Sequence, residues 1–206
     1  MCYLCQAATQ QQAYQAGGFF PQAHGIQTAN MYSFNGSGQL PQTGIQGIDG
    51  LLIGVRYGGI STMGQAANVR YDFTRPIDNS AVLNPTAQQV VLDWQAKWAN
   101  VTNINWINVT SGDFEISYGI KNLSPPSGGT KGYAALSYGS TILYSGPIVL
   151  DDDQPNFPSN TFMYSAVGHE IGHGLGLAHS FYGANPSNYS VGTPAKNNTD
   201  YSIMAY

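Results

Sequence analysis

Polar and apolar positions alternate along Asn68-Val-Arg-Tyr-Asp-Phe73, with Val69, Tyr71 and Phe73 on one side and Asn68, Arg70 and Asp72 on the other. That two-residue period predicts a strand with one buried face. Similar short runs, bounded by turn-forming residues, predict strands over Asn105–Val109, Asp113–Tyr118, Gly132–Tyr138 and Gly146–Leu150. A longer period governs Pro85–Ala99, where Val90, Val91, Trp94 and Trp98 fall on one stripe of a helix that should pack on a sheet. Asn84 is placed to cap this helix, and Pro85 suits its first position. A second helix is expected over Thr161–Leu175, capped by Asn160 or Thr161, with Phe162, Val167, Ile171 and Leu175 on its buried side. Leu51–Arg56 is a shorter apolar run that stops at Gly58-Gly59. The pattern predicts an α/β fold: a twisted mixed sheet of about five strands, a backing helix and a second helix that carries the chemistry.

Two regions lack periodicity. Residues 1–40 are rich in Gln, Ala and Gly and read as a flexible leader or pro-segment, leaving 41–206 as the folded domain. Ser180–Asp200 is rich in Gly, Pro and Asn and reads as a long loop bordering a binding cleft.

Charge and cysteine usage narrow the partners. Only 9% of the 206 residues are charged and the net charge is −4, so no basic surface is on offer to nucleic acid or an anionic membrane. No apolar run approaches the roughly 20 residues that a membrane-spanning helix needs. Cys2 and Cys5 are the only cysteines, both within the leader. They are either incidental thiols or a thiolate source that caps an active-site metal before activation. Asp151-Asp152-Asp153 reads as a solvated turn, with a Ca2+ site as the sharper alternative.

The chemistry is concentrated in His169-Glu170-x-x-His173-x-x-Gly176-x-x-His179, which holds three of the chain's four histidines. Residues four apart on a helix share a face, so His169 and His173 can bind one metal ion, with Glu170 beside them. A continuing helix would carry His179 away. Gly176 is the residue able to turn the chain, because glycine takes left-handed backbone angles at little cost and often ends helices. His179 then returns as a third ligand. Three neutral imidazoles suit Zn2+, which lowers the pKa of a coordinated water from 15.7 towards about 7. Glu170 is placed to act as general base.

This long motif, together with Ser202-Ile-Met-Ala-Tyr206, resembles the zinc signature and Met-turn of the metzincin metallopeptidases. The Met-x-Tyr order looks like serralysins, the secreted bacterial branch, and astacins. Ile48–Gly54, Gln88–Ala99 and Gly132–Tyr138 also resemble serralysin segments. The resemblance implies a zincin-like catalytic domain with Met204 forming the base beneath the histidines. It also implies that Tyr206 is both a resting-state zinc ligand and a donor to the reaction oxyanion. Ala134, Ala135 and Leu136 would then lie on the rim strand that pairs with an extended substrate. The expected activity is zinc-dependent endopeptidase cleavage of protein or peptide substrates outside the cell, with the leader a possible inhibitor.

Two features differ from the serralysin pattern. Ser180 follows the third histidine, as in matrixins, and no glycine-rich calcium-binding repeat follows the Met-turn. The chain therefore reads as a fragment or a trimmed form. A matrixin-like peptidase and a catalytically weak, zinc-stabilised surface or adhesion module are the alternative readings.

Overall fold

The computed structural model describes residues 57, 65–123, 131–135, 137–138, 143–152, 161–177 and 203–204. Outside them lie the leader with Cys2 and Cys5, the apolar run 51–56, Leu136, Asp153, Asn160, His179, the loop 180–200 and Tyr206.

The described chain forms a mixed α/β sheet with two helices. In chain order these are β1 (Ala67–Asp72), α1 (Pro85–Val101), β2 (Ile104–Asn108), β3 (Ile116–Lys121), β4 (Gly132–Ala134), β5 (Ser137–Tyr138), β6 (Leu143–Asp151) and α2 (Thr161–Gly174). The sheet runs β2-β1-β3-β6-β4, with β5 paired to β6 as well. β1 is parallel to β2 and β3, and β3 is parallel to β6, while β4 and β5 are antiparallel to β6. α1 provides the crossover that parallel neighbours β1 and β2 require.

The α1 cap forms as its residues dictate. The Asn84 carboxamide oxygen accepts the Ala87 amide at 2.8 Å, and Pro85 begins the helix. The helix continues two residues beyond Ala99, to Val101. Its last turn closes on Thr102, whose amide and hydroxyl both donate to the Trp98 carbonyl. Ala87, Val90 and Val91 turn into the core formed by Val69, Tyr71, Phe73, Ile116, Tyr118, Ile148 and Leu150 of the sheet and Val167 and Ile171 of α2. Trp94 and Trp98 sit at the margin of that stripe and meet α2: their indole nitrogens donate to the carbonyls of Tyr164 and Gly168, at 2.6 and 3.1 Å. The stripe thus packs partly on a helix, not wholly on the sheet.

Three expectations need correcting. The strand expected over Asp113–Tyr118 begins at Ile116 and continues to Lys121. Gly119 falls inside the strand, where its missing side chain admits Ser80, beside the antiparallel bridge of Ala81 to Ile120.

The single strand expected over Gly132–Tyr138 is broken into β4 and β5. The Ala135 amide donates to the Pro147 carbonyl at 3.0 Å, but Pro147 has no amide to return the bond. The ladder loses half of one closely spaced pair at the point where the strand breaks.

Asp151 is not in a solvated turn. Its carboxylate is buried, accepting the Leu123 amide at 3.0 Å and the Lys131 ammonium at 3.3 Å. Asp152 beside it is exposed.

Candidate functional site

α2 lies across the sheet close to β4 and β6 and brings His169, Glu170 and His173 into the interior. Burying a carboxylate and two imidazoles on one helical turn is costly unless they hold one another or a ligand. A pure core helix would carry aliphatic residues there.

Glycines let α2 sit this close. A side-chain carbon on Gly168 would lie 2.5 Å from the Trp94 indole. One on Gly172 would lie 2.5 Å from the Met204 sulfur and 3.1 Å from Trp98. Gly168 and Gly172, one turn apart, thus form a smooth strip that receives two indoles and a thioether. Val167 and Ile171 pack into the core.

The two histidine rings are adjacent, with centroids 4.6 Å apart and planes at 86°. Each ring has a fixed main-chain partner. His169 Nδ1 lies 2.7 Å from the Ile203 carbonyl oxygen, and His173 Nδ1 lies 2.7 Å from the Leu177 carbonyl oxygen. A carbonyl only accepts, so both Nδ1 atoms carry hydrogen and donate. In the neutral imidazoles the lone pair is then on Nε2 in both residues. The tautomers are set alike.

The helix end follows its glycine. Gly176 has φ +91°, in the region that favours residues without a side chain. The Gly176 amide donates to the His173 carbonyl at 2.8 Å, and the Leu177 amide donates to the Gly172 carbonyl at 3.0 Å. This pair of bonds is a Schellman motif. It also delivers the Leu177 carbonyl to His173. The Gly174 carbonyl, which a continuing helix would have paired, instead accepts the Tyr57 hydroxyl at 2.8 Å. Tyr57 is itself buried. Burial first, then the neighbouring Tyr118 and Glu115, push its pKa well above the usual tyrosine value, so it remains a protonated donor.

Glu170 sits against the sheet edge. A side-chain carbon on Gly132 of β4 would come within 2.9 Å of Glu170 Cγ. Among the described residues β4 ends the sheet, and its inward bonds come from alternate residues: the Asp151 amide donates to the Lys131 carbonyl and the Ala135 amide to the Pro147 carbonyl. By the two-residue period, Gly132 and Ala134 turn their main-chain polar groups away from β6.

Of the residues singled out in sequence, the structure brings together His169, Glu170, His173, Gly176 and Met204. Met204 is buried beneath Gly172. Ala134 and Ala135 lie on the adjoining strand segment, both buried. His179, Tyr206 and Leu136 lie outside the described residues. No group of three or more His, Cys, Asp or Glu side chains able to hold a metal occurs among the described residues, which do not include His179. Sequence reasoning missed Tyr57, the Ile203 carbonyl and the requirement for glycine at 132. Only Gly132 left a trace, as a glycine opening a strand-like run.

Among the described residues no helix is long and apolar enough to cross a membrane. No family model matches the chain, and no curated protein matches it in sequence.

Proposed function

We propose that the chain is a zinc-dependent endopeptidase of the metzincin type, with a zincin-like catalytic domain that acts on extended protein or peptide substrates outside the cell. One observation carries the reading: the Nδ1 atoms of His169 and His173 both donate to main-chain carbonyls, from Ile203 and Leu177. Metal-ligating histidines characteristically give their other ring nitrogen to such an acceptor, which fixes the ring and raises its basicity. Two adjacent imidazoles held alike on one helical turn fit the nitrogen-rich donor set of zinc. His169, His173 and, from the motif spacing, His179 would hold the ion. Zinc bound there would supply Lewis acidity, polarising the scissile carbonyl and acidifying the attacking water.

The chain's own residues do the rest. Glu170 accepts a proton from the water as it attacks and returns it to the leaving amine nitrogen, so the carboxylate ends the cycle ionised. Its burial beside β4 excludes bulk water from that transfer. The outward main-chain groups of Gly132 and Ala134 pair with an extended peptide as an added strand, which tolerates many side chains. Tyr206 is assigned the oxyanion donor role on resemblance alone.

The test is Glu170→Gln. The variant keeps the shape and removes the base, so zinc should stay bound while turnover falls by about 10²-fold to 10⁴-fold. Cleavage at the original rate would refute the proton path.

A further inference from the structure

The last turn of α2 has a complete account of its carbonyls. Ile171 receives the Leu175 amide, Gly172 the Leu177 amide, His173 the Gly176 amide, and Gly174 the Tyr57 hydroxyl. The first three partners are local. The fourth comes from 117 residues away. Without it, a carbonyl would be left unpaired in a buried setting, which costs more than the bond itself contributes.

The Gly174–Leu177 turn is also what orients His173, through the Leu177 carbonyl on Nδ1. Leu175 packs against the core and Gly176 is buried, so the turn is held on its apolar side, while the Gly174 carbonyl needs a fixture of its own. Tyr57 supplies that fixture. It is a rigid ring buried in the core cluster, with a hydroxyl kept protonated by its surroundings. The path is short: Tyr57 hydroxyl, Gly174 carbonyl, the turn, Leu177 carbonyl, His173 imidazole.

We infer that Tyr57 is a positioning residue for the metal-ligating His173, acting through the turn that its hydroxyl clamps. The inference rests on the zinc reading above. Removing the hydroxyl frees the turn to shift, so the Leu177 carbonyl no longer holds the His173 ring at one angle. Loss of the partner bonded to a ligating imidazole typically weakens metal binding by about 10-fold to 100-fold, and freeing the turn that carries that partner is expected to reach the lower end of that range.

The experiment uses the full chain and its Tyr57→Phe variant, which keeps the ring and removes only the hydroxyl. Zinc affinity is measured by competition with a chromophoric chelator, and the visible spectrum is recorded after loading with cobalt(II). Tyr118→Phe is the control. It removes another buried tyrosine hydroxyl, the acceptor of Gln95, which is not bonded to the turn. The expected result is zinc binding at least about 10-fold weaker and an altered cobalt spectrum for Tyr57→Phe, with wild-type values for Tyr118→Phe. If Tyr57→Phe loses thermal stability but keeps wild-type affinity and spectrum, Tyr57 is only a core residue and the inference is overturned. If the wild-type chain itself binds no zinc, the functional reading falls and takes this inference with it.

Hydrogen exchange on the wild-type chain gives a second route that needs no variant. Coupling is reciprocal, so added zinc should slow exchange at the Gly176 and Leu177 amides and the Tyr57 hydroxyl together. Zinc that slows the two amides but leaves the hydroxyl unchanged would overturn the role given to Tyr57.

Discussion

The Nδ1 of His169 donates to the carbonyl oxygen of Ile203, 34 residues further along the chain, at 2.7 Å. Met204, the next residue, fills the space over Gly172. One short turn therefore fixes an imidazole through its backbone and supports the helix beneath it through its side chain. The same glycine face of the helix also receives Trp94 and Trp98, whose indole nitrogens meet two of its carbonyls. α2 is located by contacts on several sides before any metal is considered.

That packing sets the sign of a substitution at Gly168. Alanine is the better helix former by about 1 kcal/mol. A side-chain carbon at this position, however, would meet the Trp94 ring at 2.5–2.6 Å, and the ring is tethered by its bond to Tyr164. Overpacking of this kind costs about 1–3 kcal/mol, so Gly168→Ala should be destabilising by up to about 2 kcal/mol overall. Thermal unfolding should begin several degrees lower. An unchanged or higher midpoint would show that the indole can withdraw freely.

Asp72 gives a pH prediction. Burial acts to raise its pKa, but bonds from the Thr74 hydroxyl and amide and from Arg75 outweigh it and lower the carboxyl below its ordinary range. A lowered folded value means that the stabilisation is complete above the unfolded carboxylate range, about pH 4, and is lost as pH falls below it. Asp72→Asn should cost about 1–3 kcal/mol at pH 7. The gap in urea midpoint between the two proteins should hold down to about pH 5 and then narrow towards pH 2. A gap that stays constant to pH 2 would contradict the assignment.

The strand register distinguishes two neighbouring alanines. The Ala135 amide is committed to the Pro147 carbonyl inside the sheet, whereas the two-residue period turns the Ala134 amide outward. Ala135→Pro should therefore destabilise the fold, by about 1–3 kcal/mol for a buried acceptor left unpaired. Ala134→Pro spares that ladder bond, so it should cost less stability than Ala135→Pro and raise KM for long peptides several-fold more than for short ones. Equal KM effects on long and short peptides would count against pairing of substrate along β4.

How much of this was legible in the sequence depends on how far apart the partners are. The Asn84 cap, the His169–His173 pair and the turn at Gly176 are local relationships, within four residues or at a glycine, and each formed where the spacing placed it. Periodicity also marked the buried faces of β1 and α1. It could not say that Trp94 and Trp98 would meet α2, because a stripe shows which face is buried but not what covers it. Asp72 and Asp151 read as solvent-facing by alternation and charge. Both are buried because Arg75 and Lys131 arrive to pair with them. The β4–β5 break lies with Pro147 on the partner strand and leaves no sign in Gly132–Tyr138 itself. Tyr57 was invisible for the same reason: nothing local to it announces a helix end 117 residues away.

The most direct test of the central claim is digestion of casein by the zinc-loaded full chain, followed through one cycle of metal removal and return. The account predicts steady internal cleavage, loss of at least about 100-fold in rate after a strong chelator, and recovery when one equivalent of zinc is restored. Undiminished cleavage by the metal-free chain, or none by the zinc-loaded chain, would contradict it.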